Sequence, residues 1–255
     1  MRKADPSETS ALQKNLNYWI QVQYREILQA MIEEANKEEK SKLEFVDFVW
    51  ALLFMRFRDN TEWVNQAISS GQQKGVGKAR RLLMELGARP KSPINDTPLD
   101  SWRTPLELEM QRPEHQTSNK EVASIAIAGL TVIIEALHRD IAERVIAANR
   151  IVDISWSRVK DIFNKSMNKR VHQWTNDTVM RGFLQGQAQL YRDNGIEDGL
   201  IMAEMGQYAT AGDDKVCSLC APKEGMVSTI THLLSILPLH PLCRCIIVPV
   251  LKGRK

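Results

Sequence analysis

Apolar residues recur every three or four positions through most of this chain, the period of an α-helix with one buried face. Leu12, Leu16, Trp19, Ile20, Ile27, Met31 and Ala35 share one face and predict an amphipathic helix ending in the charge cluster KEEKSK. Leu43–Phe57 is apolar nearly all round, with Phe45, Phe48, Phe54 and Phe57, and predicts a buried helix despite Glu44 and Asp47. Thr61 is placed to cap a third helix, TEWVNQAISS, that stops at Gly71. A fourth covers Lys78–Leu86 and is closed by Gly87.

From Ala88 to Asn119 the pattern breaks. Pro90, Pro93, Pro98, Pro105 and Pro113 fall there among Asn, Asp, Ser and Thr, which predicts a linker or an extended arm. Helical periodicity returns at Glu121, with Val122, Ile125, Gly129, Val132, Ile133, Ala136 and Leu137 on one face, continued by Ile141, Val145 and Ile146. A further helix over Val171–Tyr191 carries Trp174, Val179, Phe183, Leu184 and Leu190, and Gly195 supplies a C-terminal stop. Leu200–Thr210 and the β-branched run Cys245–Leu251 then read as strands. The expected class is α+β, predominantly α-helical with a small zinc-stapled β element at the C-terminal end. Its divisions are 1–87, helical; 88–119, linker or arm; 120–199, helical; and 200–255, a Cys/His metal-binding β element.

Composition changes little in this picture. Of 255 residues, 43% are hydrophobic and 25% charged, values ordinary for a globular protein. The net charge of +3 is too weak to demand a polyanionic partner. Val122–Ile134 is uncharged but only 13 residues long, against about 20 for a membrane span, so it reads as a core helix. No apolar run follows the first residues, MRKADPSETS, which predicts a reducing compartment and hence cysteines used for metal more than for disulfides.

The cysteines carry the chemistry. All four lie near the C-terminal end as Cys217-x2-Cys220 and Cys243-x-Cys245, with His240 three residues before the second pair. A C-x2-C turn lets two thiolates approach one tetrahedral ion, and alternate residues of an extended segment put Cys243 and Cys245 on one face with Arg244 on the other. His240 joins them from a turn set by Pro238 and Pro241. Five donors thus converge on a metal that takes four, so one is spare, and the spare is His240 or one of Cys243 and Cys245. Thiolate-rich donor sets favour zinc, and a surplus of donors marks a structural rather than a catalytic site. Two disulfides, a thioredoxin-like redox pair and scattered core cysteines are the competing readings; each fits the spacing or the compartment less well.

The same residues resemble a known signature. Tyr208-x-Thr210, Asp214, Cys217-x2-Cys220, Gly225, His240-Pro241, Cys243-Arg244-Cys245 and Pro249 are similar to the C-terminal pattern of phage Mu protein F-like head morphogenesis proteins, which are minor head proteins of tailed bacteriophages. The helix with Thr175, Asn176, Asp177 and Arg181 resembles the element before that signature. Tyr208 stands where tryptophan is common and Leu242 where a polar residue is more usual. The leucine-rich stretch Thr229–Leu242 suggests a tip that packs on a partner. The resemblance implies a virion protein, assembled in the host cytoplasm in several copies per head. Its partners would be the portal protein, the major capsid protein or both, its work head morphogenesis or DNA packaging and ejection.

Other motifs point elsewhere. Gly71-Gln-Gln-Lys-Gly75-Val-Gly77-Lys78 imitates a phosphate-binding loop, but its spacing is one residue too long and Ala79 replaces the Ser/Thr. An alternative reading makes Gly75-Val76-Gly77 the hairpin of a helix-hairpin-helix over 61–87, with Lys74, Lys78, Arg80 and Arg81 on DNA phosphates. His115, His138, His172 and His232 have no partner at metal or triad spacing, and no paired carboxylates or nucleophile motif point to an enzyme.

Overall fold

The computed structural model describes residues 7–37, 40–58, 62–87, 113–194 and 201–251. Their elements are α1 (Ser7–Ala35), α2 (Lys42–Leu53), α3 (Glu62–Glu85), α4 (Pro113–Ala147), α5 (Trp156–Ser166), α6 (His172–Asn194), β1 (Ile201–Ala209), β2 (Val227–Thr229), α7 (Ile230–Ile236) and β3 (Ile246–Leu251). Single π turns follow α2 at Phe54–Arg58 and α5 at Met167–Val171. The chain is mostly helical with a small C-terminal sheet, the class its periodicity predicts. It divides into two compact units. One comprises Met1–Leu12, Gln66–Ala123 and Asn176–Lys255; the other Gln13–Asn65 and Ser124–Thr175. Helices α1, α3, α4 and α6 each contribute residues to both.

In the second unit the buried stripe of α1 is the one its sequence marks: Leu16, Trp19, Ile20, Ile27, Met31 and Ala35. Trp19 meets Phe57 edge-on and stacks with Trp63, and Tyr24 lies on Phe163. Ser41 caps α2 reciprocally with Glu44. Contrary to expectation, α2 is not buried all round. Phe45, Val49, Leu52 and Leu53 face inward while Leu43, and Met55 in the π turn that follows, are exposed. The face expected for α4 is also displaced. Its buried residues are Val122, Ala126, Leu130, Ile134, Leu137, Ile141 and Val145, and Ile125, Val132 and Ile146 are exposed. Because Val122–Ile134 is apolar on every side, periodicity alone could not select the inward face. Trp174 does select it, by donating Nε1–H to the Ala126 carbonyl at 2.7 Å. By length and composition Lys120–Ala147 is long and apolar enough to cross a membrane, which the 13-residue reading of Val122–Ile134 missed.

Of the proline-rich segment 88–119, residues 88–112 lie outside the described residues, as does Thr61. From Pro113 the backbone is helical. Proline suits a first helical turn, where its missing N–H has no partner to lose.

In the first unit, the helix stop at Gly71 and the hairpin at Gly75–Gly77 are not found: α3 runs unbroken from Glu62 to Glu85. Gly71 and Gly75 instead lie against Gly182 and Gly186 of α6. A Cβ on Gly71 would stand 2.7 Å from the Val179 carbonyl oxygen, and one on Gly182 2.5 Å from that of Ile68. Gly75 meets the Phe183 carbonyl, and Gly186 that of Gln72, in the same way. Two G-x3-G faces therefore bring the helix backbones into contact, the close approach that small residues permit. Beyond the crossing, Ala79 and Leu83 of α3 and Leu184, Ala188 and Tyr191 of α6 form a buried floor.

The sheet packs on that floor. Its strand order is β2-β1-β3, antiparallel throughout, with Tyr208 opposite Ile247 and Gly206 opposite Ser228. Tyr208, Ile201, Ile247, Ile230, Leu233 and Leu237 join Leu184, Ala188 and Tyr191 in one core. Tyr191 donates its hydroxyl to the Ile247 carbonyl at 3.2 Å, and Ile247 N–H donates to Gln187 Oε1. Much of the leucine-rich stretch expected to meet a partner is used here. Thr229 caps α7 by accepting from His232 N–H, and Leu233 and Leu237 are buried in the chain's own core, leaving Leu242 exposed.

The glycine crossing makes a contrast that can be measured. Gly75→Ala pushes a methyl group into the Phe183 backbone and should destabilise the protein by about 1–3 kcal/mol. Gly77 has nothing within 4 Å of a Cβ, so Gly77→Ala should stabilise by about 0.5–1 kcal/mol through helix propensity. Chemical denaturation of both variants checks this; similar effects of the two would contradict the crossing.

Candidate metal centre

The knuckle starts from the end of β1. Gly212 and Gly225 adopt positive φ, and between them the chain turns so that the Cys220 and Ala221 N–H groups both donate to the Cys217 carbonyl, at 3.1 and 3.0 Å. On the other side, the Cys243 N–H donates to the His240 carbonyl at 3.1 Å, and Cys245 leads into β3. These two turns bring all five predicted donors together. Within each of two groups, Cys217–Cys220–His240 and Cys220–Cys243–Cys245, the donor atoms lie within 4.8 Å of one another, and Cys220 belongs to both. Among the described residues no other His, Cys, Asp or Glu set is grouped in this way.

The detailed geometry fits a thiolate-binding cation. His240 Nε2 lies 3.1 Å from Cys217 Sγ and 3.1 Å from Cys220 Sγ. The Cys220 and Cys243 sulfurs are 3.9 Å apart, close to the ~3.8 Å edge of a tetrahedron with bonds of about 2.3 Å. His240 Nδ1 is 2.8 Å from the Pro241 carbonyl oxygen. A carbonyl only accepts, so Nδ1 carries a proton, and in the neutral ring the Nε2 lone pair then faces the sulfurs, the tautomer a metal ligand needs. A cavity of about 30 Å³ is lined by Cys217, Cys220, His240 and Cys245 with Leu242 and Arg244. No disulfide is present; all four cysteines are free.

Surrounding groups tune the donors. Hydrogen bonding from the Cys245 thiol, and then from nearby backbone amides, holds Cys243 down to about 5. The same contact with Cys243, together with burial, raises Cys245 far above the usual thiol range. Burial pushes Cys220 up to about 11, opposed by the Tyr208 hydroxyl, which donates to its sulfur at 3.3 Å. Tyr208 is itself fully buried, and burial followed by its contact with Cys220 keeps it protonated. Without a cation, therefore, the thiols divide protons among themselves. Ligation by a dication favours the ligating sulfurs as thiolates and makes binding weaken as pH falls.

One ion pair braces both halves. Arg244 donates from Nη1 and Nη2 to the two carboxylate oxygens of Asp213, at 2.6 and 2.8 Å. Asp213 also accepts from the Lys215 N–H at 3.1 Å. Arg244 thus points away from the buried Cys243 and Cys245, as the alternation of an extended segment predicts, and ties their strand to the start of the knuckle. The Arg244 contact holds the Asp213 carboxyl at about 2. Since that lies below the ~3.9 of an unfolded aspartate, the pair stabilises fully above about pH 4 and is lost as pH falls toward 2.

Sequence reasoning found the five donors but assigned no role to Asp213 and singled out its neighbour Asp214, which is exposed. It quoted Tyr208 without seeing that its hydroxyl reaches Cys220. Both contacts join residues that are apart in the sequence and meet only on folding, so spacing cannot reveal them. The scattered histidines serve other ends: His138 Nε2 lies 3.1 Å from the Val46 carbonyl and the ring meets Trp50, while His172 lies 3.2 Å from Asn17 Nδ2. Lys74 is exposed on α3; Lys78 and Arg80 are half-buried, and no hairpin presents them.

Comparison of the chain with protein-family models, with curated proteins and with solved structures finds no match.

The Asp213–Arg244 clamp should matter to the metal without supplying a ligand. Asp213→Asn keeps one metal ion per chain but lowers affinity by about 10–100-fold, the usual effect of losing an outer contact. Competition with a chelator at pH 7 measures it; unchanged affinity would show that the clamp does not position the thiols.

Proposed function

We propose that this chain is a minor structural protein of a tailed-bacteriophage head, acting in head assembly or DNA passage through contacts with the portal or the major capsid protein, and that its C-terminal element is stapled by zinc. The observation that carries the reading is the convergence of the signature residues. Tyr208, Cys217, Cys220, His240, Cys243 and Cys245 gather into one cluster, and Arg244 locks its two halves together through Asp213. Three of the four thiols are buried, and the donors outnumber the positions on a tetrahedral ion. Such a set holds a fold together and leaves no position for substrate. It supports a structural protein over an enzyme, and the resemblance of the same residues to minor head proteins supplies the setting.

Zinc is the ion the donor chemistry favours, held by four of the five donors: three thiolates with the neutral imidazole, or all four thiolates. Bound there it would fasten the knuckle to the start of β3 and so close the sheet on its helical floor. The helices of α3 and α6 supply a rigid base, while Leu219 and Leu242, both exposed beside the metal ligands, present apolar side chains at the tip. DNA contact through Lys74, Lys78, Arg80 and Arg81 loses its structural basis with the hairpin, and no observation favours it.

In phage heads made by the encoding virus, mass spectrometry should find this chain in purified particles, together with portal protein. Cys217→Ser should be expressed but absent from heads. Heads that incorporate the variant normally, or wild-type heads lacking the chain, would overturn the reading.

A further inference from the structure

The five donors pose a question that the two overlapping groups help to answer. Cys217, Cys220 and His240 form one compact trio, with Nε2 equidistant from both sulfurs at 3.1 Å and its lone pair turned toward them. Three donors leave a tetrahedral ion one position to fill. The two thiols of the second pair stand beside Cys220, the sulfur common to both groups, and different observations favour each. Cys243 Sγ is 3.9 Å from Cys220 Sγ, a tetrahedral edge length. Cys245 lines the ion-sized cavity together with the whole trio. The two lie within 4.8 Å of each other and of Cys220, so a small shift of either sulfur exchanges them. The Arg244–Asp213 clamp between them fixes the backbone on which both are carried.

We propose that the metal keeps Cys217, Cys220 and His240 as permanent ligands and accepts either Cys243 or Cys245 as the fourth, the other thiol standing by as a replacement. This rests on the reading of the cluster as a structural metal site. The arrangement makes the staple tolerant of losing one thiol from the second pair, and of losing neither from the first. It also makes the two cysteine pairs unequal in role, although the sequence presents them as similar. The exchange would balance: one metal–sulfur bond breaks as the other forms, and the arriving thiol passes its proton to the departing thiolate.

The test titrates Co²⁺, and Zn²⁺ in competition with it, into the full chain and into Cys243→Ser, Cys245→Ser, the double variant, Cys217→Ser and His240→Ala. Thiolate-to-cobalt charge-transfer absorbance reports the number of sulfur ligands, and circular dichroism reports metal-induced folding, so a variant that is unfolded without metal still gives a result. The wild type and both single variants should bind one ion with the same three-sulfur absorbance. Affinity should fall in each single variant by no more than about 10–100-fold, as for an outer contact. The double variant and Cys217→Ser should lose the site, and His240→Ala should weaken it beyond either single variant. If only one of Cys243→Ser and Cys245→Ser loses metal, the fourth ligand is fixed and the proposal fails while the metal site stands. Four-sulfur absorbance in the wild type, unaffected by His240→Ala, would overturn it equally. A wild type that binds no metal would overturn the structural metal reading as well.

Discussion

Thiols packed side by side inside a protein are a problem in electrostatics. With Cys220 and Cys243 sulfurs 3.9 Å apart, two thiolates would repel by about 4 kcal/mol at an effective dielectric of 20. They must either keep their protons or surround a cation. This chain places four thiols and an imidazole in two trios that share Cys220, the donor atoms of each trio within 4.8 Å of one another, and His240 Nδ1 faces the Pro241 carbonyl, which leaves Nε2 to the sulfurs. It adds a tyrosine hydroxyl donating to the shared sulfur and a clamped arginine between the second pair. The free Nε2 and the tyrosine hydroxyl both suit thiolates gathered round a cation. A cation at the cluster would turn the repulsion into attraction.

A metal staple would suit the size of the sheet. Three short strands, one of them only Val227–Thr229, depend on what packs against them. They gain a floor because α3 and α6 approach closely enough, through paired glycines, to present Ala79, Leu83, Leu184, Ala188 and Tyr191 as one surface. Tyr208 spans the two kinds of support, with its ring in the hydrophobic core and its hydroxyl on Cys220. Knuckle and helices are thereby joined through one side chain. A chain with these strands but without the donors would have only the floor to hold them.

Much of this was legible in the sequence where the signal is local. The strands over 201–209 and 246–251, the buried stripe of α1 and the five donors all follow from periodicity or spacing. What misled was ambiguity that only packing resolves. Glycines at 71, 75 and 77 look like turns because glycine serves turns and close helix contacts alike, and the partners that decide between the two, Gly182 and Gly186, are over a hundred positions away. Val122–Ile134, uncharged and with apolar residues on every side, offers no single face until Trp174 reaches Ala126. The leucines of 229–242 suggest an interface because the core they fill is built from other segments. Asp213 and Arg244 pair only after two turns have formed. In each case the missing information was a contact between distant residues.

The central claim is that a metal ion holds the C-terminal element together. Hydrogen exchange of the purified full chain, coupled to metal analysis before and after a strong chelator, tests it most directly. The account predicts about one zinc per chain, and protected amides in 201–209 and 246–251 that lose protection on chelation while those of α1 keep theirs. Metal-free protein whose strands remain as protected as before would contradict it.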